Sequence, residues 1–515
     1  MRHHAQAPLT GGGAGPSPVA GSLAEATDLV AAAARELGRD PVARGLLDDC
    51  ADRLRQPLRV ALAGSIKAGK STLLNALVGQ SIAPTDATEC TRVVTWYRTG
   101  ATPTVTAYAA DGASANVPVR RGAGAHGLTF EMDDLRWQPM GAHLVDHLEV
   151  RWPTAELART TIIDTPGTSS LSQEVSQRTM RLLTPTDTDA VTVSGADAVV
   201  YLLRRLDAAD VQFLEDLGSG GAAGHLGVVG VVSRADEISA GRINALDSAA
   251  QVAARFATEL ERTGLCQAVI PVAGLLAFAA ATLTQPEFAA FAALAALPPD
   301  ALELALLSAD RFARPDIELP VPAQLRAQLL DRFGMFGVRM ATELVRTGVA
   351  DAPTLAAELS ARSGIEELRR VLDVQFGQRA DQLKAHSALT ALDRVITAFP
   401  GSGADALLPR VRTLLADVHG FAELRLLGRL RADELPLPPA DLAEMFRLIG
   451  GAGVAVHVRL GLPAGSDPAT LRAHAIEAAR KWRSRSRHPL VDKSTAEACL
   501  TAVRSAEGAL AQLSA

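Results

Sequence analysis

Apolar residues near the start of the chain recur at helical spacing. Between Ala24 and Leu54 they fall at Leu29, Val30, Ala33 and Leu37, then at Val42, Leu46 and Leu47. Spacings of three and four predict two amphipathic helices. Pro41 stands between the pieces, in the first turn of the second, where its missing N–H costs nothing. From Leu58 the period shortens. Leu58–Gly64, Val93–Tyr97, Thr160–Ile163, Ala198–Leu203, Gly227–Val232 and Ala268–Val272 are short apolar runs, with Val93–Tyr97 β-branched and aromatic. Each reads as a strand. Thr104–Ala107 and Ala115–Val119 flank Asp111-Gly112 and read as a hairpin. Strands alternating with helical stretches predict an α/β unit with a mainly parallel sheet.

After Ala281 the helical period dominates: Leu302–Leu307, Gln324–Val345, Ile365–Phe399, Leu407–Leu430, Asp441–Ile449, Pro468–Arg483 and Thr495–Leu513. Pro400-Gly-Ser-Gly403 breaks it and predicts a chain reversal. The expected organisation is a tail over 1–21, helices over 22–54 and an α/β domain over 55–376. That domain holds a helical insertion at about 282–362, and a helical stalk follows over 377–515. Each stalk helix has an apolar stripe it cannot bury alone, so the two chain ends are expected to pack together.

Composition changes this picture little. A chain of 515 residues exceeds one compact core. Hydrophobic content of 48% with aromatics at 4% suits helices built from Ala and Leu. A net charge of −6 excludes a simple electrostatic nucleic-acid binder. The charge is uneven: from Gly377 onward 18 Lys+Arg face 14 Asp+Glu, a balance of +4, which leaves −10 for the rest. Cys50, Cys90, Cys266 and Cys499 lack metal-ligand spacing and read as free thiols of a reducing compartment. The uncharged stretch Gly264–Pro286 is long enough to span a bilayer but contains Pro271 and Gln267. It reads as a buried strand running into a helix, so any membrane contact is expected to be peripheral.

The chemistry is concentrated in four segments. Gly64, Ser65, Ile66, Lys67, Ala68, Gly69, Lys70 and Ser71 fit G-x-x-x-x-G-K-[ST] between a strand and a helix opening at Thr72. Backbone N–H groups of such a loop turn inward around phosphate, and the helix N-terminus favours negative charge. Lys70 is expected to reach the β- and γ-phosphates and Ser71 to bind Mg²⁺. Asp164-Thr-Pro-Gly167 ends a strand: the carboxylate can hold Mg²⁺ through water, and the Gly167 N–H can touch the γ-phosphate. Ser233-Arg234-Ala-Asp236 ends another strand, where Asp236 can accept from N1 and N2 of guanine. Thr91 lies where GTPases keep a mobile loop that completes the Mg²⁺ shell, with Thr85, Thr88 and Thr95 as competitors.

Together these segments resemble the dynamin superfamily. Pro84 stands seven residues before Thr91 and Arg92 follows it, as in that family. Lys67–Gly79 and Ser363–Leu372 look like the bacterial dynamin-like branch, the second like its helix leading from the G domain into the stalk. Ser233–Ile238, Arg332–Gly337 and Val503–Glu507 are similar to the isoniazid-inducible dynamin-like proteins of mycobacteria. The resemblance covers nearly the whole chain after the tail. It implies a G domain on a helical neck and trunk, GTP and GDP with Mg²⁺ as ligands, and hydrolysis linked to peripheral membrane association. It also implies pairing with a second copy or another dynamin-like protein, at the cytoplasmic face of the plasma membrane. In two places the chain departs from the family: Arg234 replaces the usual Lys before the guanine-reading Asp, and Ser233 the usual Asn or Thr. Lys67 occupies the position where some large GTPases place an arginine finger; it is either that positive charge or a solvated lysine at the loop rim.

Two further segments bear on membrane contact. Arg480–His488 is basic with one aromatic, and is either a lipid-facing patch or a charged helix end. Leu448–Val456 is apolar and glycine-rich, and is either a shallow membrane-inserting loop or a buried hinge.

Overall fold

A computed structural model describes residues 18–85, 93–109, 112–121, 128–131, 145–167, 183, 195–219, 227–241, 245–262, 265–417, 419–431 and 435–513. Thr91, with Thr88, Cys90 and Arg92, lies outside them. The strands are β1 (Leu58–Gly64), β2 (Val94–Thr99), β3 (Thr104–Ala109), β4 (Ser114–Asn116), β5 (Val119–Arg121), β6 (Leu128–Phe130), β7 (Val145–Trp152), β8 (Thr160–Asp164), β9 (Ala198–Leu203), β10 (Val228–Ser233) and β11 (Ala268–Val272). Nine form one sheet in the order β11-β10-β9-β1-β8-β2-β7-β3-β4. Five of its pairings are parallel; β2–β8, β3–β7 and β3–β4 are antiparallel. Every residue of β9 and β10 is buried, as expected for strands covered on both faces.

The predicted strands recur within a residue or two. The hairpin is present, but its second strand stops at Asn116 because β5 leaves to pair with β6. No expectation was attached to β7, whose sequence Val-Asp-His-Leu-Glu-Val-Arg-Trp mixes charge with apolar residues. It is a strand because Leu148, Val150 and Trp152 bury one face while His147, Glu149 and Arg151 occupy the other.

The first helix begins at Pro18, inside the stretch expected to be tail. Pro41 opens the second helix, Pro41–Arg55, where Asp40 caps Val42 N–H and Ala43 N–H at 2.9 and 3.0 Å. Both pack on Ala380–Ala398, joining Leu29, Val30, Leu37 and Leu47 to Leu389, Leu392, Val395 and Ile396. Arg53 in the second helix reaches the sheet and pairs with Asp197, just before β9, at 2.9 Å; both side chains are fully buried.

The expected helix Ile365–Phe399 is two helices, Ile365–Gln375 and Ala380–Ala398, joined by a tight turn. Arg379 in that turn donates to the carbonyls of Ile449 and Gly450 at 2.9 and 2.7 Å. Leu448–Gly451 of the glycine-rich segment is buried against this turn, while Ala452 and Ala455 are exposed. Helices His419–Arg431, Pro439–Leu448, Pro468–Ser486 and Lys493–Gln512 form a separate core around Leu427, Met445, Trp482 and Val503. The basic cluster belongs to this core. Lys481 pairs with Asp441 and Glu444, Arg485 with Asp441, Arg483 with Glu507, and Trp482 is fully buried. Among the described residues no single helix is long and apolar enough to cross a membrane. Gly274–Ala281 and Gln285–Ala295 together have the composition but bend by 113°. Cys50, Cys266 and Cys499 are buried thiols outside any disulfide.

Candidate active site

The carboxyl ends of the parallel strands converge on one edge, where an open α/β sheet binds ligands. β1 runs into the loop 64–69, and the helix Lys70–Val78 starts there. Gly64 has φ +139°, Lys67 +60° and Gly69 +93°, so the loop backbone curls repeatedly through the left-handed region. Lys67 adopts that conformation although it has a Cβ, and it is exposed.

Lys70 Nζ donates to the carbonyl oxygens of Gly64 and Ser65 at 3.0 and 3.1 Å, across the mouth of the loop. Burial lowers its pKa, against the pull of Asp164. Ser71 Oγ donates to Asp164 Oδ2 at 2.7 Å. Burial raises the Asp164 pKa, while Lys70 and the Ser71 hydroxyl pull it down. The other oxygen, Asp164 Oδ1, is buried and has no hydrogen-bond partner among the described residues. Thr165 anchors the turn by donating through its backbone N–H and its hydroxyl to the Leu62 carbonyl, at 3.2 and 2.8 Å. Gly167 then lies against the loop. A Cβ on it would stand 2.5 Å from Ile66 Cγ1 and 2.9 Å from Ile66 N, so only glycine permits this approach.

Ser233 ends β10 and donates to the Leu203 carbonyl at 3.2 Å. Arg234, with φ +53°, turns out to pair with Glu237 at 2.6 Å. Asp236 turns in and is buried, which pushes its pKa up to about 6. A cavity of about 130 Å³ joins the two halves of the site: Ala68, Gly69 and Thr72 line one side, Ser233, Arg234 and Asp236 the other. The sequence reading missed Gly274 and Leu275, which follow β11 and line the same cavity. Their signal was a strand running through glycine into a helix, the pattern that marks the phosphate loop. It also missed Asn75, fully buried, whose side chain accepts from Ile82 N–H and Ala83 N–H and donates to the Ala83 carbonyl. Asn75 fixes where the chain leaves for the segment containing Thr91.

The structure thus brings Gly64–Thr72, Asp164, Gly167, Ser233, Arg234 and Asp236 to one edge. Ser71 Oγ and the unpaired Asp164 Oδ1 are hard oxygen donors side by side, a set that fits Mg²⁺.

Residues 60–216 match the dynamin family. The chain is 52% identical over 472 residues to the isoniazid-induced protein IniC of Mycobacterium tuberculosis, in strains H37Rv and CDC 1551. The match spans 91% of this chain and 93% of that protein. Among solved structures, an oligomerised bacterial dynamin pair aligns over 96% of this chain and 73% of its own, at 13% identity and a TM-score of 0.31. The LeoA bacterial dynamin GTPase from ETEC aligns over 95% and 72%, at 12% identity and a TM-score of 0.24. The assignment rests on the sequence relatives: the chain belongs to the dynamin family as a bacterial dynamin-like GTPase, a P-loop hydrolase of the IniC type.

Proposed function

We propose that the protein hydrolyses GTP to GDP and phosphate with Mg²⁺ at this edge, and couples turnover to reversible attachment to an anionic membrane. The observation that carries the chemical part is the Ser71–Asp164 bridge with the buried, unpaired Asp164 Oδ1 beside it. Ser71 and Asp164 would hold Mg²⁺, which when bound neutralises charge on the β- and γ-phosphates. Lys70 would exchange two neutral carbonyls for phosphate oxygens, a stronger charge-assisted pair. Thr91 keeps its proposed place in the Mg²⁺ shell. Gly167 would offer its N–H to the γ-phosphate, and Asp236 would accept from guanine. The strained backbone of Lys67, where glycine fits more cheaply, supports a role for its charge when two G domains pair.

The proposed division is a G domain over 55–376 with an insertion near 282–362, carried on a neck and stalk made by 22–54 and 377–515. For the membrane the supporting feature is Leu490, 89% exposed at the turn between the last two long helices, with Arg487 and Lys493 beside it. A protruding apolar tip flanked by cations suits the cytoplasmic face of a plasma membrane. Internal pairing of the Arg480–His488 cluster favours a second reading, in which the protein serves as a soluble regulatory partner of another dynamin-like protein. Co-sedimentation with anionic liposomes, with and without such a partner, separates them. Binding of the protein alone, weakened by salt and by Leu490→Asp, supports direct attachment; binding only with the partner supports the second reading.

A further inference from the structure

We propose that the inserted helix Ala323–Arg346 completes the base end of the nucleotide site: its kink at Gly334 is the wall against which Asp236 presents its carboxylate to a guanine base. The inference rests on the reading of Asp236 as the base reader and adds a specificity-determining position to it.

The helix is broken at Gly334, with φ +64° and ψ 173°, a conformation open to glycine alone. A glycine inside a helix is less favourable than alanine, and the break adds to that by interrupting the hydrogen-bond ladder. The break sits directly over Asp236. A Cβ on Gly334 would stand 3.6 Å from Asp236 Oδ2 and 3.8 Å from Leu275 Cδ2. Beyond the small cavity that reaches the phosphate loop, a second cavity of about 580 Å³ opens between Asp236 and this helix, lined by Leu330, Gly334 and Met335. Asp236, Glu237 and Leu275 line both cavities. Among the described residues no neighbouring side chain donates to the Asp236 carboxylate. A buried acceptor between two cavities suits a ligand bearing adjacent N–H donors, as guanine does.

The helix is bolted on both sides of the break, which makes it a wall rather than a lever. Before it, Arg332 pairs with Glu287 at 2.8 Å and donates to the Thr282 carbonyl and hydroxyl at 2.9 and 2.7 Å. Phe333 stacks edge-on against Phe291, with ring centroids 5.1 Å apart. After it, Gly337 lies so close to Leu276 that a Cβ would stand 3.1 Å from its Cδ1. Thr282 and Leu276 belong to the segment that carries Leu275 into the site. The insertion and the base-side segment are therefore held as one piece.

The test compares ligands with and without a base, using the full-length protein. Gly334→Ala is expected to weaken GDP about tenfold and to leave pyrophosphate affinity unchanged, since only base contacts are disturbed. Hydrogen–deuterium exchange on the wild type keeps the test decisive if that variant fails to fold. GDP should protect peptides covering 327–340, and pyrophosphate should not. Equal protection by both, or none by GDP, overturns the inference. Asp236→Asn separates the two levels. If the variant still prefers GDP over ADP, the base-reader reading fails and the inference with it. If it loses that preference while Gly334→Ala and the exchange pattern stay silent, only the role of the insertion fails.

Discussion

The two ends of the candidate site are built in opposite ways. At the phosphate end one unbroken segment, Gly64–Thr72, supplies strand end, loop, lysine, hydroxyl and helix N-terminus. At the base end, Ser233–Asp236, Gly274–Leu275 and Gly334 come from three segments far apart in the chain and meet only through packing. A contiguous motif carries its geometry in local backbone preference. A site assembled from distant segments depends on every contact that holds those segments in place, and its residues can change type more freely. Arg234 shows this: it stands where the family uses lysine, and here it pairs with Glu237 on the surface.

This contrast predicts a hierarchy of mutational effects. The largest belongs to Lys70→Ala. Losing a charge-assisted contact to a polyanion should weaken GTP about 100-fold and abolish measurable turnover. Equilibrium binding of a fluorescent guanine nucleotide with a phosphate-release assay checks it, and near-normal binding would remove the distinction between the two ends.

Next comes Asp236→Asn, expected to weaken GTP by about 10- to 100-fold and to shift preference toward xanthine nucleotides, because one acceptor becomes a donor. The same residue predicts a pH profile. Its ionised form is the acceptor, so GTP affinity should hold above pH 6 and fall as pH drops through about 6, the raised value set by burial. That step should be missing from Asp236→Asn. Folding stability runs the other way. A carboxylate raised from 3.8 to about 6 contributes its stabilisation below pH 3.8 and loses it as pH rises through 6. The variant should therefore gain on the wild type in urea unfolding at pH 7.5, and less so near pH 4.

Gly167→Ala should fall between the ends in kind and below both in size. The added Cβ must push Ile66 away, separating the turn after β8 from the phosphate loop. Turnover should drop about tenfold with a smaller loss of affinity, since the contact is to the transferred group. Equal losses in both parameters would show that the loop itself had collapsed.

The smallest effect is at Lys67. Lys67→Gly relieves a left-handed lysine and should raise stability by up to about 1 kcal/mol. Turnover should fall several-fold with affinity intact, and the fall should grow with protein concentration if G domains pair. Wild-type turnover at all concentrations would make Lys67 a solvated rim residue.

A third region, the distal helical bundle, tests whether buried charge can hold a structure without serving a ligand. Glu423 is buried against Arg459 at 2.6 Å and accepts from Ser505 Oγ at 2.7 Å. Burial pushes its pKa up, but the His419 hydrogen bond and the Arg459 charge outweigh that and bring it to about 2. Segments separated widely in sequence, His419–Arg431, the short helix Val456–Leu460 that carries Arg459, and Lys493–Gln512, are tied by this one carboxylate.

What the sequence determined by itself was whatever short-range backbone chemistry decides. The phosphate loop, the strand-end Asp164 and Asp236, the Pro41 helix start and most strands were legible because alternation, turn residues and capping act over a few positions. β7 was not legible, since its charged face is tolerable only because the buried Glu149 pairs with Arg98 and Arg151. Nor was the break of Gln324–Val345 at Gly334: the glycine was visible, but its positive φ and its place beside Asp236 are set by packing between segments far apart in the chain. The basic run 480–488 and the glycine-rich run 448–456 kept two readings each in sequence. Tertiary structure supplies what the sequence could not name: Asp441, Glu444 and Glu507 as partners of Lys481, Arg483 and Arg485 in the first, and Arg379 on the carbonyls of the second. The physical reason is the same in both: a charge or a bare backbone carbonyl takes its meaning from the partner that desolvates it, and those partners lie too far along the chain for local pattern to reveal.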